Sequence, residues 1–536
     1  MTNFNLKTAS NREPRIQQPN RLSDYRALGS AMLLERAVQS RIMNPTLKKL
    51  ISGIPGLLLR GKDSVKVRGL ATDSRRVGPG SIFFALPGLR TDGQYFIDEA
   101  IDRGAVAIIT EVDTWVPPHV TLVQVDNVRQ VAASVTARYY GHPEKDLQLT
   151  GILGTSGKTV VSTLLKHFQK SQGPVGMLGT ISYEVGNRTL PAHRTTPEPI
   201  ELYALLAQIR DQGCAKAILE VSSHGIDQQR VSGLRFRNLV LMNLSPEHLN
   251  YHGTLDRYIA LEKDFIHSRA AGLNRFVAGI DDPRVREVVE SLPREHSSKV
   301  LSFGCSPNAV VRAEDIRYSE RDTRFTLVWP EGSVKLVSPL LGDFNLQNTL
   351  AAIACGYADG IDPVEMGAAL LSFEGVRGRM ERLDMNLPFN VLVDYMHTEA
   401  SYEKGLDMVR GLTSGRLITI FGCGGNRDAD SRPVITSIVA QKSDQAIATA
   451  DNPRNETVEG IFGDMREGNE DFDNLSFVAD RRGAIAAALE MARPGDTVLI
   501  AGKGHETFQE FGDCVVPFDD RAVAREILKN KQWHTR

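Results

Sequence analysis

The chain has few cysteines for its length: five in 536 residues, at Cys214, Cys305, Cys355, Cys423 and Cys514, with no Cys-x-x-Cys pair. That scarcity argues against a disulfide framework and a cysteine zinc site, and points to a reducing, cytoplasmic setting. A run of about 18 or more apolar residues is also missing, so neither a membrane span nor a membrane partner is expected. Residues 1–43 are polar and lack the apolar stretch of a secretory signal. Neither sign of charge dominates, with 63 Lys and Arg against 65 Asp and Glu, which leaves no basic footprint for nucleic acid. Any phosphate chemistry must therefore be local. Internal repeats are absent as well.

What is present is an alternation. Short apolar runs at Ala105–Thr110, Leu147–Leu153, Ala217–Val221, Leu239–Leu244, Val391–Val393, Leu417–Phe421, Gln445–Ala450 and Thr497–Ala501 are separated by segments of helical period. That pattern predicts an α/β fold with largely parallel sheets. At roughly 100–200 residues per domain, the length implies about three domains. Gly141-His-Pro-Glu144 and Pro339–Gly342 read as linkers. The expected division is an extension at 1–43, a first domain at 44–145, a nucleotide domain at 146–341 and a C-terminal domain at 342–536.

The most informative segment is Gly154-Thr-Ser-Gly-Lys-Thr159, which follows the apolar run Leu147–Leu153 and opens an amphipathic helix. Val160, Val161, Leu164, Leu165 and Phe168 fall on one face of that helix, with Lys166, Gln169 and Lys170 elsewhere. In the strand–loop–helix setting, backbone N–H groups around Gly154, Thr155, Ser156 and Gly157 can cradle phosphate oxygens. Lys158 can reach the β- and γ-phosphates, and the Thr159 hydroxyl can ligate magnesium. The commoner eight-residue loop does not fit, since Ile152 stands where its first glycine would be. Further on, Glu220-Val-Ser-Ser-His224 and Asn243-Leu-Ser-Pro-Glu-His248-Leu-Asn-Tyr-His252-Gly253 put carboxylates and imidazoles at strand ends, where a second divalent ion could sit beside a triphosphate. Taken singly, each also reads as a helix cap with a structural histidine.

Further motifs fall in order along the chain: Thr72-Asp-Ser-Arg75, Thr195-Thr-Pro-Glu198, Asp227-Gln-Gln-Arg230, Gly375-Val-Arg-Gly-Arg-Met-Glu-Arg382, Asp394-Tyr-Met-His397, Phe421-Gly-Cys-Gly-Gly-Asn-Arg427, Asp451-Asn-Pro-Arg454 and Ala501-Gly-Lys-Gly-His-Glu506. With the phosphate loop, they make the chain from about Lys48 onward resemble the Mur ligases, most closely the members that add meso-diaminopimelate. A folyl-polyglutamate synthase is a more distant alternative, disfavoured by Asp451-Asn-Pro-Arg454.

The resemblance implies a P-loop-type central domain, a Rossmann-like C-terminal domain and a uridine-binding first domain. It also implies an ATP- and Mg2+-dependent amide ligase of peptidoglycan precursor synthesis, working as a monomer on UDP-N-acetylmuramoyl-L-alanyl-D-glutamate and meso-diaminopimelate. The substrate carboxylate would attack the γ-phosphate, and the incoming amine would then displace phosphate from the acyl phosphate. Charge stabilisation would come from Lys158 and two magnesium ions, with Thr159 on one ion and Glu220 with His248 on the other. The nucleotide-sugar peptide would meet Ser74, Thr195, Thr196, Ser222, Gln228 and Arg230. Adenine and ribose would meet Asn345, Asn348, Arg379, Asp394 and His397. Arg427, Asp451, Asn452, Arg454, Gly502 and Glu506 would hold the amino acid. Within that set, Arg454 can pair bidentately with the distal carboxylate of diaminopimelate, where lysine would offer none. Without the resemblance, Asp451-Asn-Pro could simply be a turn.

The chain departs from the family pattern at several points. A carbamylated lysine is expected ten residues after the histidine of Tyr-His-Gly, and counting from His252 to 262 reaches Glu262 instead. Glutamate brings a carboxylate without carbon dioxide, on a shorter arm, to the metal side of the site. Lys263 is adjacent but turned by about 100° on a helix. Ser156, Glu247, Asn250, Glu399 and Asn426 also replace the usual residues. The alternative these changes raise is a catalytically impaired paralogue with a regulatory or scaffold role.

Overall fold

The computed structural model describes residues 44–88 and 91–530; the segment 1–43, expected as an extension, lies outside the described residues. Three sheets dominate, each built around parallel strands. The first has five strands in the order Leu58–Arg60, Thr121–Gln124, Ala105–Thr110, Ser81–Phe84, Gly69–Ala71. Only Leu58–Arg60 runs antiparallel to its neighbour. The helix Val128–Tyr139, capped by the Asn127 side chain, belongs to the same buried core as the inner faces of these strands.

Eleven strands form the second sheet. Its middle is a parallel run in the order Val175–Leu178, Lys216–Glu220, Gln148–Leu153, Phe236–Leu241, Arg275–Gly279, Val300–Gly304. Apolar residues fill both faces of these strands, as parallel strands under helices on either side require. Gln148–Leu153 is the inner strand that feeds the phosphate loop, so the loop opens at the carboxyl end of the sheet, between two neighbours that also end there.

The third sheet has six strands in the order Glu381–Arg382, Asn390–Asp394, Thr497–Ala501, Leu417–Phe421, Gln445–Thr449, Leu475–Val478, parallel except at the first pair. A hairpin, Phe508–Phe511 with Cys514–Pro517, follows, and then the helix Asp520–Asn530. That helix is tied down by Arg481, which is wholly buried and donates from Nε and an η nitrogen to the Asp520 carboxylate, each at 2.7 Å.

The predicted strands Ala105–Thr110, Leu417–Phe421 and Thr497–Ala501 match the observed bounds, and the others differ by a few residues. The antiparallel strands were not foreseen: Ser182–Val185 with Arg188–Pro191 at one edge of the second sheet, and Val311–Tyr318, Thr323–Trp329 and Gly332–Ser338 at the other. Their exposed faces carry charge, and Val311–Tyr318 is interrupted by a register shift between Glu314 and Arg317. Both features mask a strand signal.

The helix Asp343–Ala358 needs reassignment. Pro339–Gly342 reads as a linker, yet Leu346, Leu350 and Ile353 lie in the same buried core as Val161 and Leu164 of the helix Lys158–Gln169. It packs mainly on the central sheet, while Phe344 at its start lies against the core of the C-terminal segment to which the division at 341 gave it. Among the described residues, no helix is long and apolar enough to cross a membrane.

Candidate active site

The phosphate loop is shaped by two glycines. Gly154 and Gly157 have φ of 109° and 94°, where a side chain is strained. A Cβ on Gly157 would stand 2.1 Å from Asn348 Oδ1, so the helix carrying Asn345 and Asn348 presses directly against the loop. Asn348 donates to Asn345 Oδ1 at 3.1 Å, and Asn345 donates to the Leu341 carbonyl at 2.9 Å. The loop is also braced by the segment after Phe236–Leu241. Thr155 N–H donates to the Asn243 carbonyl at 3.0 Å, and Ser156 N–H to Asn243 Oδ1 at 2.9 Å. Lys158 Nζ folds onto the carbonyls of Gly154 and Thr155, at 2.7 and 3.0 Å.

Behind the loop, Glu220 is fully buried at the end of its strand. It accepts hydrogen bonds from the hydroxyls of Thr159 at 3.0 Å, Ser162 at 3.2 Å and Thr180 at 2.7 Å. Ser162 and Thr180 had not been singled out from the sequence; Thr180 follows the strand Val175–Leu178 directly after a glycine, the one signal that marks it.

Glu262 lies on the helix Leu255–His267, whose buried residues are Tyr258, Glu262, Phe265 and Ile266. Tyr258, one turn earlier, meets the Thr155 hydroxyl at 3.0 Å. Glu262 is 1 % exposed and its Oε2 has no hydrogen-bond partner among the described residues. Burial pushes its carboxyl up to about 8, against the opposing charge of Lys158. Helical register therefore turns Glu262 inward, while Lys263 is only half-buried.

His248 sits apart from this cluster. It has φ of 54°, its side chain is 47 % exposed, and its ring lies 4.7 Å from that of His224. Burial and the adjacent His248 and His252 push the His224 imidazole down to about 4. Among the described residues, no three His, Cys, Asp or Glu side chains converge as a preformed metal centre. The structure joins Thr159 to Glu220 and leaves His248 on the rim.

The residues expected along the peptide form one network. Thr196 Oγ1 donates to the Glu220 carbonyl at 2.8 Å and meets Ser222 Oγ at 3.1 Å. Arg230 donates to the Thr196 carbonyl at 3.0 Å and to Gln228 Oε1 at 2.6 Å. Thr195 joins through Thr180 at 3.1 Å. Ser74 is in a different domain, buried, and donates to Glu99 Oε2 at 2.7 Å.

In the third sheet the loops after Asn390–Asp394, Leu417–Phe421, Gln445–Thr449 and Thr497–Ala501 leave the carboxyl ends of parallel strands and so share one end of the sheet, while Arg379 comes from the segment before the antiparallel strand Glu381–Arg382. After Asn390–Asp394, the Arg379 guanidinium lies 4.8 Å over the Tyr395 ring, and the His397 and His505 rings lie 4.6 and 4.7 Å from it. Burial pushes Asp394 up to about 6, opposed by the Arg379 charge. Tyr395 and His505 were not foreseen as part of this group, although both stand inside quoted motifs.

Two further loops are stapled together. Gly425 N–H donates to the Asn452 carbonyl at 2.9 Å, Asn455 N–H to Asn426 Oδ1 at 3.0 Å, and Arg454 to the Gly425 carbonyl at 2.7 Å. Arg432, 1 % exposed, bonds Glu456, Asp464 and the Gly424 carbonyl beneath them. Asn426 has φ of 53°, a region asparagine tolerates well, which suits it to this turn. Arg454, at φ of 54°, is also held by Glu510 Oε2 at 3.0 Å. Built Cβ atoms would meet Arg454 at 3.1 Å and Arg427 at 3.5 Å from Gly424, and Asp451 at 2.8 Å from Gly502. The six residues expected around the amino acid thus lie near one another, on loops that follow strands of the third sheet.

Residues 66–140 match the Mur ligase family, catalytic domain; 152–356 match the Mur ligase middle domain; 378–504 match the Mur ligase, glutamate ligase domain. A UDP-N-acetylmuramoyl-L-alanyl-D-glutamate--2,6-diaminopimelate ligase from Solibacter usitatus is 40% identical, covering 88% of this chain and 95% of its own. The ligase of the same name from Geobacter metallireducens is also 40% identical, over 88% and 97%. A solved structure of a ligase with that name superposes with a TM-score of 0.66 at 31% identity, covering 91% of this chain and 99% of its own. With three consecutive domain matches and relatives similar over most of their length, the chain belongs to the Mur ligase family, the ATP-dependent enzymes that join a carboxylate to an amine.

Proposed function

We propose that the protein adds meso-diaminopimelate to UDP-N-acetylmuramoyl-L-alanyl-D-glutamate at the expense of ATP, in the making of peptidoglycan precursors. The relatives named for this reaction support the substrate class. One arrangement in the chain supports the amino acid most: Arg454, anchored by Glu510 and Gly425, beside Asp451, Asn452 and Glu506. An arginine held from one side keeps other N–H groups for a carboxylate, and the acidic neighbours suit an ammonium.

In the reaction, a substrate carboxylate oxygen attacks the γ-phosphorus of ATP and expels ADP. The amine then attacks the acyl carbon and expels phosphate. Lys158 would leave the loop carbonyls for the phosphates, and the loop N–H groups would hold the phosphate oxygens. The Thr196, Ser222, Gln228 and Arg230 network would orient the peptide, and Ser74 the nucleotide end. Asn345, Asn348, Arg379, Asp394 and His397 would bind the adenosine.

The side chains fit magnesium: Thr159, Glu220 and the unpartnered Glu262 Oε2 are oxygen donors of the kind a hard cation takes, with His248 as a further ligand by family pattern. The ion would supply neutralisation of phosphoryl charge. On this reading Glu262 takes the place of the carbamylated lysine.

The test is phosphate release with ATP, magnesium, the muramoyl dipeptide nucleotide and either meso-diaminopimelate or lysine. Turnover with diaminopimelate is expected. None with any amino acid would sink the proposal, and turnover with lysine alone would remove the role given to Arg454.

A further inference from the structure

Asn452 and Glu506 share a third neighbour that the reaction does not use. Lys503 is wholly buried, with 0 % exposure. Its Nζ donates to Asn452 Oδ1 at 2.9 Å and to Glu506 Oε2 at 2.6 Å, and lies 5.6 Å from the centre of the Phe508 ring. An ammonium can only donate. It therefore selects which end of the Asn452 amide turns toward it. Oδ1 receives Lys503 and also the Glu510 N–H at 3.2 Å, which directs Nδ2 to Glu506 Oε2 at 2.9 Å. Glu506 Oε2 accepts twice as a result, while its Oε1 has no hydrogen-bond partner among the described residues.

We infer that Lys503 is a positioning residue for the incoming amino acid: it locks Asn452 and one oxygen of Glu506 so that the other oxygen is held ready for the substrate ammonium. The inference rests on the amino-acid pocket proposed above. A buried cation needs a paired anion, and Glu506 is the carboxylate bonded to Lys503. That pairing fixes a side chain which would otherwise sample several rotamers at the pocket wall. Lys503 has no exposed surface, so it acts through its two partners and not by touching substrate.

The experiment compares wild type, Lys503→Met, Glu506→Gln and the double variant, reading KM for diaminopimelate and for ATP separately. Lys503→Met is expected to raise KM for the amino acid about tenfold or more, the scale of a lost charge-assisted hydrogen bond, with KM for ATP within about twofold. In the Glu506→Gln background the same change should add less than about twofold, because the amide has already replaced the carboxylate oxygen that Lys503 holds ready for the ammonium. Equal rises in both KM values, or independent effects that multiply, would overturn the inference. Should Lys503→Met fail to fold, Asn452→Asp keeps the acceptor for Lys503 and removes the donor to Glu506. A raised KM for the amino acid alone is expected there, and an unchanged value would overturn the inference. A wild-type protein inactive with every amino acid would instead sink the proposed function, and this inference with it.

Discussion

Glu262 is the residue whose chemistry the fold alters most. Its folded carboxyl is pushed up to about 8 from an ordinary 4.5, so the folded protein binds this proton more tightly than the unfolded chain does. The contribution to stability is full below about 4.5 and is lost as pH rises toward about 8. In the ligand-free protein, Glu262→Gln should flatten the fall in melting temperature between about pH 5 and about pH 8. The same slope in both proteins, measured by thermal unfolding across that range, would place the titration elsewhere. Sequence counting had already separated Glu262 from Lys263, but the inward direction needed the packing of Tyr258 and Phe265 on the same helix.

At the scale of elements, the loop–helix junction and the last helix carry the clearest consequences. Gly157→Ala adds a Cβ at φ of 94° against Asn348 Oδ1. The strain is about 1–3 kcal/mol, so weaker ATP binding, by about tenfold in a titration with a non-hydrolysable analogue, is expected. Undiminished affinity would mean that the loop relaxes freely. Asp520→Ala leaves the buried Arg481 without its anion and should cost the C-terminal domain about 3–5 kcal/mol in denaturant unfolding. A loss under about 1 kcal/mol would show that Arg481 finds another partner. Glu399, one of the departures from the family pattern, opens the helix Glu399–Leu412 after the capping box of Thr398 and Ser401. An acidic residue is favourable in that first turn, where a proline would also fit.

For the whole molecule, the site is divided. The phosphate loop belongs to the second sheet and the proposed amino-acid site to the third, so the proposed chemistry requires the two to meet. Asn390 donates to Glu320 Oε2 at 3.2 Å and Arg382 to the Glu320 carbonyl at 3.4 Å, contacts that join the two sheets. Adding an ATP analogue with diaminopimelate should lower the radius of gyration in small-angle scattering, as closure over substrates predicts. An unchanged curve would count against closure as the step that completes the site.

By itself the sequence determined the parallel strands, the phosphate loop, the motif loops and the family. Each is written in contiguous residues, where apolar runs, glycine spacing and helical period act locally. Tertiary structure decided what depends on distant partners: Glu220 beside Thr159, 61 residues away, and Lys503 beside Asn452, 51 residues away. It also decided the charged antiparallel edges and the allegiance of the helix Asp343–Ala358 to the central core. Hydrogen bonds and burial across the fold set those relations, because one segment carries only half of each contact.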